Sequence, residues 1–179
     1  YNNTNELIFK SKKLTKYKSN NYILLEANNA ITTDNKGNIL VFSIDENKVI
    51  AKYNFYKKKF KKYKKYLNLI VDNNIIYISD NIGYLYAFNY KENKILWAKN
   101  YIIPFRSNLK ITKEKLIAVN QNNELIFFDK KTGDVLKKIP TEETIVKNKF
   151  VNTLSQDKES TLFLNTYGSL YSINNETMK

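Results

Sequence analysis

The sequence repeats one strand–turn–strand pattern four times, and this repetition constrains the fold more than any other feature. The runs Gly37-Asn-Ile-Leu-Val-Phe, Gly83-Tyr-Leu-Tyr-Ala-Phe, Asn123-Glu-Leu-Ile-Phe-Phe and Gly168-Ser-Leu-Tyr-Ser-Ile align without a gap. Their first residues, called here the first turn column, are 46, 40 and 45 positions apart. The runs that follow Gly37, Gly83 and Asn123 are apolar at consecutive positions, which predicts strands covered on both faces.

Two sets of turn residues fix the register of the repeat. Asp or Asn stands three residues before each first-column position, as is common at the start of a type I turn: Asp34, Asp80, Asn120 and Asn165. A second turn column, ten residues after the first, holds Asn47, Asn93 and Gly133, which tolerate a left-handed backbone. All four glycines of the chain lie in these two columns. Met178 occupies the second column of the fourth unit, so we expect that turn to be shifted or built differently.

A period of this length with about four strands per unit predicts an all-β fold, a β-propeller of four-stranded antiparallel blades. We expect a partial ring of about four blades in a single domain over residues 1–179, with blades near 20–55, 67–101, 107–140 and 150–179. The alternative is a β-sandwich with irregular hairpins, which would not require both turns to repeat without gaps.

The two ends of the chain carry further expectations. Asn5-Glu-Leu-Ile-Phe9 repeats the sequence of residues 123–127, so the flanking segment 1–19 either belongs to a preceding blade or supplies an outer strand to another blade. The fourth unit stops where its last strand should begin, and we expect the chain to be a segment of a longer one. A partial ring exposes two apolar blade faces, which predicts that the isolated segment associates with itself.

Composition argues against several kinds of site. The chain has no cysteine and no histidine, so it lacks thiolate metal ligands and the commonest general base. The net charge of +13 suggests a polyanion ligand. However, Arg106 is the only arginine, whereas bidentate recognition of phosphate or guanine favours arginine over lysine.

The densest positive charge lies in Lys57–Lys65, where seven of nine residues are lysine. The run is either a patch for nucleic acid or anionic lipid, with Phe60 and Tyr63 as stacking partners, or a solvated connection between blades. We favour the connection, and keep a basic binder of nucleic acid or anionic lipid as one alternative function.

The segment from Gly83 to Trp97 resembles the PQQ-like β-propeller repeat in its Gly-x-Leu-Tyr-Ala-Phe start and its Asn-Lys-Ile-Leu-Trp end. Asp129-Lys-Lys-Thr-Gly133 is similar to the central turn of that repeat. The resemblance implies that Trp97 docks between adjacent blades. Ala51 and Lys137 stand at the equivalent positions, so another aromatic side chain, such as Tyr53, is expected to fill the first gap.

The PQQ-like family contains quinoprotein dehydrogenases, which bind their quinone above Ca²⁺ with carboxylate ligands and usually a vicinal cysteine pair. Outside Glu142-Glu143 the sequence shows no clustered carboxylates, and it has no cysteine. We therefore expect no enzyme activity, no catalytic residue, no cofactor and no metal in this chain. A fragment of a quinoprotein dehydrogenase is the alternative.

The family also contains BamB-type lipoproteins of the outer-membrane β-barrel assembly machinery, and the chain resembles these most. The resemblance implies a protein-docking scaffold in the periplasm or on the periplasmic face of the outer membrane. It also implies a docking surface at Ile103, Phe105 and Arg106, where an arginine follows bulky apolar residues just before an innermost strand. The alternative for this segment is an ordinary loop between blades with Phe105 packed inward.

Overall fold

The computed structural model describes residues 10–56, 60, 62–141 and 153–179. Within these ranges the chain forms fifteen β-strands, and it forms no helix long and apolar enough to cross a membrane. The strands form four antiparallel sheets in chain order.

Sheet 1 contains β1 (Ser19–Glu26), β2 (Asn29–Asp34), β3 (Asn38–Ser43) and β4 (Lys48–Asn54). Sheet 2 contains β5 (Leu67–Asp72), β6 (Ile75–Asp80), β7 (Tyr84–Asn89) and β8 (Lys94–Asn100). Sheet 3 contains β9 (Lys110–Ile111), β10 (Lys115–Val119), β11 (Glu124–Asp129) and β12 (Val135–Pro140). Sheet 4 has three strands, β13 (Thr153–Gln156), β14 (Ser160–Leu164) and β15 (Leu170–Asn174).

The chain divides into two compact units between Lys64 and Lys65. Sheet 1 belongs to the first unit, and sheets 2 to 4 belong to the second. In every sheet, strands that follow one another in the chain are hydrogen-bonded neighbours, as short hairpin connections require.

The first turn column closes the hairpin between the second and third strands of each unit. In sheet 2, Asp80 Oδ1 accepts hydrogen bonds from the backbone N–H groups of Ile82 and Tyr84, both at 2.8 Å, while Gly83 has a φ of 101°. Asp34, Asn120 and Asn165 accept the same pair of hydrogen bonds in the other three sheets. The side chain thus replaces backbone partners that a tight turn leaves open.

The second-column turn of sheet 4 has the same backbone geometry as that of sheet 3. The expectation that the turn at Met178 is shifted or built differently is therefore wrong. Met178 donates its N–H to Asn174 O at 2.9 Å and has a φ of 56°, and Gly133 donates to Asp129 O at 2.9 Å. A left-handed conformation costs a non-glycine residue roughly 1–2 kcal/mol. Met178 packs against the apolar cluster between sheets 3 and 4, which offsets this cost.

Two apolar clusters hold the second unit together. The cluster between sheets 2 and 3 includes Tyr77, Leu85, Phe105, Leu116 and Phe128, each at most 3% exposed. The cluster between sheets 3 and 4 comprises Ile117, Val119, Leu125, Phe127, Leu154, Phe163 and Ile173. Sheet 3 contributes alternate residues of the same strands to both clusters, because successive side chains of a strand point to opposite faces. This arrangement explains why its strands are apolar at consecutive positions.

A β-bulge recurs between the third and fourth strands of sheets 1, 2 and 3. The pairing shifts between Val41 and Phe42, between Ala87 and Phe88, and between Phe127 and Phe128. The additional residue on the fourth strand is Ile50, Leu96 or Leu136, and each is more than a third exposed. The outermost strands therefore bend at one common position of the repeat.

Candidate docking site

The loop from Tyr101 to Leu109 connects β8 to β9 and lies across the first-column turns of two sheets. On the sheet 2 side, Tyr101 N–H donates to Gly83 O at 2.8 Å, and Phe105 N–H donates to Asp80 O at 3.0 Å. On the sheet 3 side, Arg106 N–H donates to Val119 O at 2.9 Å. These bonds fix the loop backbone relative to both sheets.

Phe105, predicted as a docking residue, is instead a core residue. Its side chain is 2% exposed, and its ring centroid lies 5.9 Å from that of Tyr101 and 6.0 Å from that of Phe128. The ring fills the space between sheets 2 and 3, so it is not available to a partner. The alternative interpretation, with Phe105 packed inward, is correct for this residue.

Ile102, which the sequence interpretation did not single out, is the most exposed large apolar residue of the described chain, at 83%. It has a φ of 69°, and Ile103 N–H donates to Tyr101 O at 2.7 Å, which makes residues 101–103 a γ-turn of the strained, positive-φ kind. A β-branched residue in this backbone region is a genuine outlier.

The strain at Ile102 is maintained by its surroundings. Its N–H donates to Asn100 Oδ1 at 2.8 Å, and its carbonyl carbon lies against Gly83, where a Cβ would come within 2.9 Å. Gly83 therefore permits both its own turn and the close approach of the loop. No local sequence pattern predicts this arrangement, because it depends on two turns that are 19 residues apart.

Ile103 and Arg106 are the other two predicted docking residues, and both are half-buried. The Nε atom of Arg106 is buried and has no hydrogen-bond partner within the described residues. We define the docking loop as residues 101–106, with Ile102, Ile103 and Arg106 as its accessible side chains.

Trp97 lies between sheets 2 and 3. Its Nε1–H donates to Lys130 O at 3.2 Å, and its ring centroid lies 6.2 Å from that of Tyr77. Ion pairs at both ends of this contact join Lys99 to Asp134 at 2.7 Å and Lys130 to Asp72 at 2.9 Å. Trp97 therefore connects β8 to the second-column turn of the next sheet.

Tyr77 and Tyr101 flank this contact between sheets 2 and 3. Burial, with a smaller contribution from the negative charge of Asp72, raises the pKa of Tyr77 to about 12. Burial and the charge of Asp134 raise the pKa of Tyr101 to about 12 in the same way. The Tyr101 hydroxyl donates a hydrogen bond to Gly133 O. Because both pKa values lie far above 7, both phenols are protonated at neutral pH.

In the contact between sheets 3 and 4, the backbone carbonyl of Asn175 takes the place of that of Lys130 and accepts from a different kind of donor. Lys137 replaces the tryptophan, but Lys115 of β10 donates from Nζ to Asn175 O at 2.7 Å and to Glu176 O at 3.1 Å. Asn175 stands seven residues after Gly168, as Lys130 stands seven residues after Asn123. An ammonium group therefore makes the bond that the indole N–H makes one sheet earlier.

Two asparagines also join sheets 3 and 4. Asn108 donates from Nδ2 to Leu154 O at 3.2 Å, and its Oδ1 accepts from Leu154 N–H at 3.1 Å. Asn123, with a φ of 59°, donates from Nδ2 to Thr166 Oγ1 at 3.1 Å. Asn123 thus serves as a turn residue and as a contact with the next sheet, which glycine could not provide.

The remaining residues of the turn columns have the left-handed backbone that their position requires. The φ angles are 81° at Gly37, 88° at Gly168, 51° at Asn47, 52° at Asn93 and 76° at Gly133. Tyr53, the aromatic expected near Ala51, lies on β4 opposite Ile39 and is half-buried.

The lysine-rich run is only partly described. Lys57, Lys58, Lys59 and Lys61 lie outside the described residues, as do Glu142 and Glu143. Phe60 and Tyr63 contact each other, with ring centroids 6.3 Å apart, and Lys65 is 1% exposed. Lys65 is thus buried rather than part of a solvated patch. In the described part of the chain, no group of three or more Asp or Glu residues is placed to hold a metal ion.

No protein-family model matches the sequence, so the PQQ-like resemblance rests on the motif residues alone. A search of curated proteins also found no match. Solved structures do match. The computationally designed Ika4 protein is 11% identical with a TM-score of 0.71, over 92% of this chain and 99% of that chain.

Two longer proteins match to a similar degree. The designed Ika8 protein is 12% identical with a TM-score of 0.71, over 88% of this chain and 46% of that chain. BamB from Moraxella catarrhalis is 16% identical with a TM-score of 0.69, over 88% of this chain and 45% of that chain. The chain thus spans less than half the length of these two proteins. The likeness is one of fold, and with the four antiparallel sheets it confirms the predicted fold class, a partial β-propeller.

Proposed function

We propose that this chain is a non-enzymatic protein-docking scaffold that binds its partner through the docking loop. The observation that carries the proposal is Ile102, an 83% exposed isoleucine in a strained γ-turn that both neighbouring sheets hold in place. Strain of this kind persists only where the surrounding structure over-determines it, and it concentrates at functional positions.

The chemistry of the docking loop defines the partner surface that would fit it. Ile102 offers an apolar side chain that can enter a pocket, and the half-buried Arg106 places a positive charge four residues further along the same loop. Arginine is enriched among the few residues that carry most of the binding energy of a protein interface. We therefore infer a partner with an apolar pocket beside a carboxylate or a row of backbone carbonyls.

We further propose that the partner belongs to the outer-membrane β-barrel assembly machinery and that the chain acts in the periplasm. The motif resemblance to BamB-type proteins and the structural likeness to a BamB support this identification. The corrected docking surface remains in the same connection between blades that the resemblance indicated, although Ile102 replaces Phe105 as its apolar residue.

The experiment separates binding from folding at Ile102. Purified chain is titrated against the isolated components of the β-barrel assembly machinery, with wild type compared with Ile102→Asn. Asparagine tolerates the left-handed region better than isoleucine, so the free energy of unfolding should rise by about 1 kcal/mol or less. Loss of the apolar anchor should nevertheless weaken binding at least ten-fold, which corresponds to about 1.4 kcal/mol.

Leu136→Asn on β12 is the matched control, because Leu136 is also exposed, at 46%, and belongs to a different segment of the chain from the docking loop. It should leave binding unchanged.

Equal binding by wild type and Ile102→Asn would contradict the proposal that the docking loop binds the partner. Binding to none of the components would contradict the assembly machinery as partner. A steep fall of binding with salt would favour a polyanion ligand instead.

A further inference from the structure

The first unit carries most of the positive charge of the chain. Residues 1–64 contain 14 lysines and five acidic residues, a net charge of +9 out of the total of +13. The other 115 residues therefore carry only +4. Such an asymmetry between two parts of one chain is typical of a protein that binds a polyanion or a membrane through one of them.

Three lysines of the first unit lie at one end of sheet 1. Because Ser19 of β1 pairs with Asp34 of β2, the residues before β1 lie at the end that holds the first-column turn. Lys16 and Lys18 come just before β1, Lys36 lies on the turn itself, and all three are exposed. None of the three forms an ion pair within the described residues.

The opposite end of sheet 1 holds the exposed acidic residues that the structure describes in this unit. Asp45 and Glu46 stand in the turn between β3 and β4, and Glu26 ends β1 at the same end. The two turns adjoin there, since Asn28 Nδ2 donates to Asp45 Oδ1 at 3.3 Å. At the end with the lysines, the one carboxylate among the described residues of the unit is Asp34, which is 0% exposed. The two ends of sheet 1 therefore differ in the sign of their exposed charge.

Hydrogen bonds fix the segment before β1 to the first-column turn. Thr15 Oγ1 donates to Asp34 Oδ2 at 2.7 Å and accepts from Tyr17 N–H at 3.1 Å. Asn35 N–H donates to Lys18 O at 2.9 Å. The backbone of the lysine-bearing segment is therefore held beside the turn.

Tyr17 brings two of the lysines together. The Nζ atom of Lys16 lies 5.5 Å from the centroid of the Tyr17 ring, and that of Lys36 lies 5.9 Å from it, so both make cation–π contacts. The two ammonium groups share one ring although like charges repel each other. An anion bound at this end would offset that repulsion. We define the basic end of sheet 1 as Lys16, Tyr17, Lys18 and Lys36.

We propose that the basic end of sheet 1 binds the surface of an anionic lipid bilayer. The negative potential of such a surface attracts clustered lysines and does not need the bidentate geometry of arginine. Tyr17, which is 39% exposed, adds a ring with a polar hydroxyl, and such side chains are enriched at membrane–water interfaces. Single-stranded nucleic acid fits this end less well, because a base could stack on Tyr17 only by displacing the two ammonium groups from its ring.

The test is cosedimentation of the 179-residue chain with phosphatidylcholine vesicles that either contain or lack phosphatidylglycerol. We expect binding to the vesicles with phosphatidylglycerol and release from them as salt is added, because salt screens the attraction. A lysine near an anionic surface contributes about five-fold to the partition coefficient, so the double variant Lys16→Gln/Lys36→Gln should bind at least about ten-fold more weakly. Both substitutions replace exposed side chains, so the variant should fold, which circular dichroism checks.

Lys91→Gln/Lys94→Gln is the matched control. It removes the same charge at two exposed lysines of the second unit, neither of which forms an ion pair in the part of the chain that the structure describes. It should bind the vesicles as wild type does. Equal losses in the two double variants would mean that only net charge matters, and would overturn the basic end as the site. Wild type that binds neither kind of vesicle, or both kinds equally, would overturn the proposal as a whole.

Oligothymidylate distinguishes a bilayer from a nucleic acid as the ligand. The basic end belongs to the first unit and the docking loop to the second, so this test can fail while the docking proposal stands. At equal phosphate concentration, the chain should bind the phosphatidylglycerol vesicles more tightly than the oligonucleotide. Tighter binding to the oligonucleotide would overturn the proposal in favour of a nucleic-acid ligand.

Discussion

The benzene ring of Trp97 lies directly on Gly133, so closely that a Cβ at residue 133 would come within 2.6 Å of both Cε3 and Cζ3. Gly133 therefore has two functions. It accepts the φ of 76° that the second-column turn requires, and it provides a flat backbone surface for the tryptophan of the preceding sheet. The turn and the contact between sheets 2 and 3 therefore both require glycine at residue 133.

Gly133→Ala should destabilise the protein more than Gly168→Ala. Both substitutions place alanine at positive φ, which costs about 1–2 kcal/mol. A Cβ at residue 168 meets nothing within 4 Å, whereas a Cβ at 133 collides with the indole and adds about 1–3 kcal/mol. Urea unfolding of the two variants measures the difference.

The Trp97→Ala background provides the control for Gly133→Ala. Removing the indole should abolish the additional cost, so the two substitutions should be strongly non-additive. Additive effects would show that the stacking of Trp97 on Gly133 does not contribute to stability.

Lys115→Met should destabilise the contact between sheets 3 and 4. Methionine keeps much of the side-chain length but cannot donate to Asn175 O and Glu176 O, so we expect a loss of about 1–2 kcal/mol. Lys113→Met removes the same charge at an exposed position of the neighbouring turn and should change the free energy of unfolding by less than about 0.5 kcal/mol. Equal effects of the two variants, measured by denaturant titration, would mean that the charge matters and the hydrogen bonds do not.

Asn123→Gly should destabilise the protein even though glycine is the usual residue of the first turn column. Glycine keeps the backbone conformation, but it loses the hydrogen bond from Asn123 Nδ2 to Thr166 Oγ1, and we expect a loss of about 1 kcal/mol. Thr166→Val removes the other partner, and a double-mutant cycle isolates the pair. A coupling energy near zero would show that Asn123 acts only as a turn residue.

The free energy of unfolding should fall as the pH rises from 10 to 12. In the unfolded chain the phenol pKa is about 10, whereas the pKa values of Tyr77 and Tyr101 are raised to about 12 in the fold. The folded state therefore binds these protons more tightly, and its advantage is complete below pH 10 and lost through pH 12. Urea unfolding at pH 9, 10 and 11 measures the fall, which should be smaller in Tyr77→Phe. A profile that is unchanged in this variant would contradict the raised pKa of Tyr77.

The repeat could be predicted from the sequence because its turns are local. The two-bond turn at Asp80 needs only residues 80–84, and every residue involved is visible in one short stretch. The strands of sheets 2 and 3 follow from the same logic, since consecutive apolar residues predict burial on both faces.

The docking loop could not be predicted in the same way. Phe105 and Ile102 are both bulky apolar residues of one loop, and only the packing of sheets 2 and 3 determines that the first is buried and the second exposed. Lys115 illustrates the same limit. A lysine that donates to the next sheet has no distinguishing sequence pattern, because its acceptors lie 60 and 61 residues further along the chain.

The bulges on the fourth strands of sheets 1, 2 and 3 affect how readily another strand can add to these sheets. Each bulge interrupts the even spacing of backbone donors and acceptors along β4, β8 or β12, and a strand with such an interruption is a poor template for another strand. The outer edges of sheets 1, 2 and 3 are therefore poorly suited to the edge-to-edge growth that leads to fibrils, even though Leu96 and Leu136 are exposed there. Exposed leucines on these strands therefore do not by themselves provide a regular edge on which another strand can add.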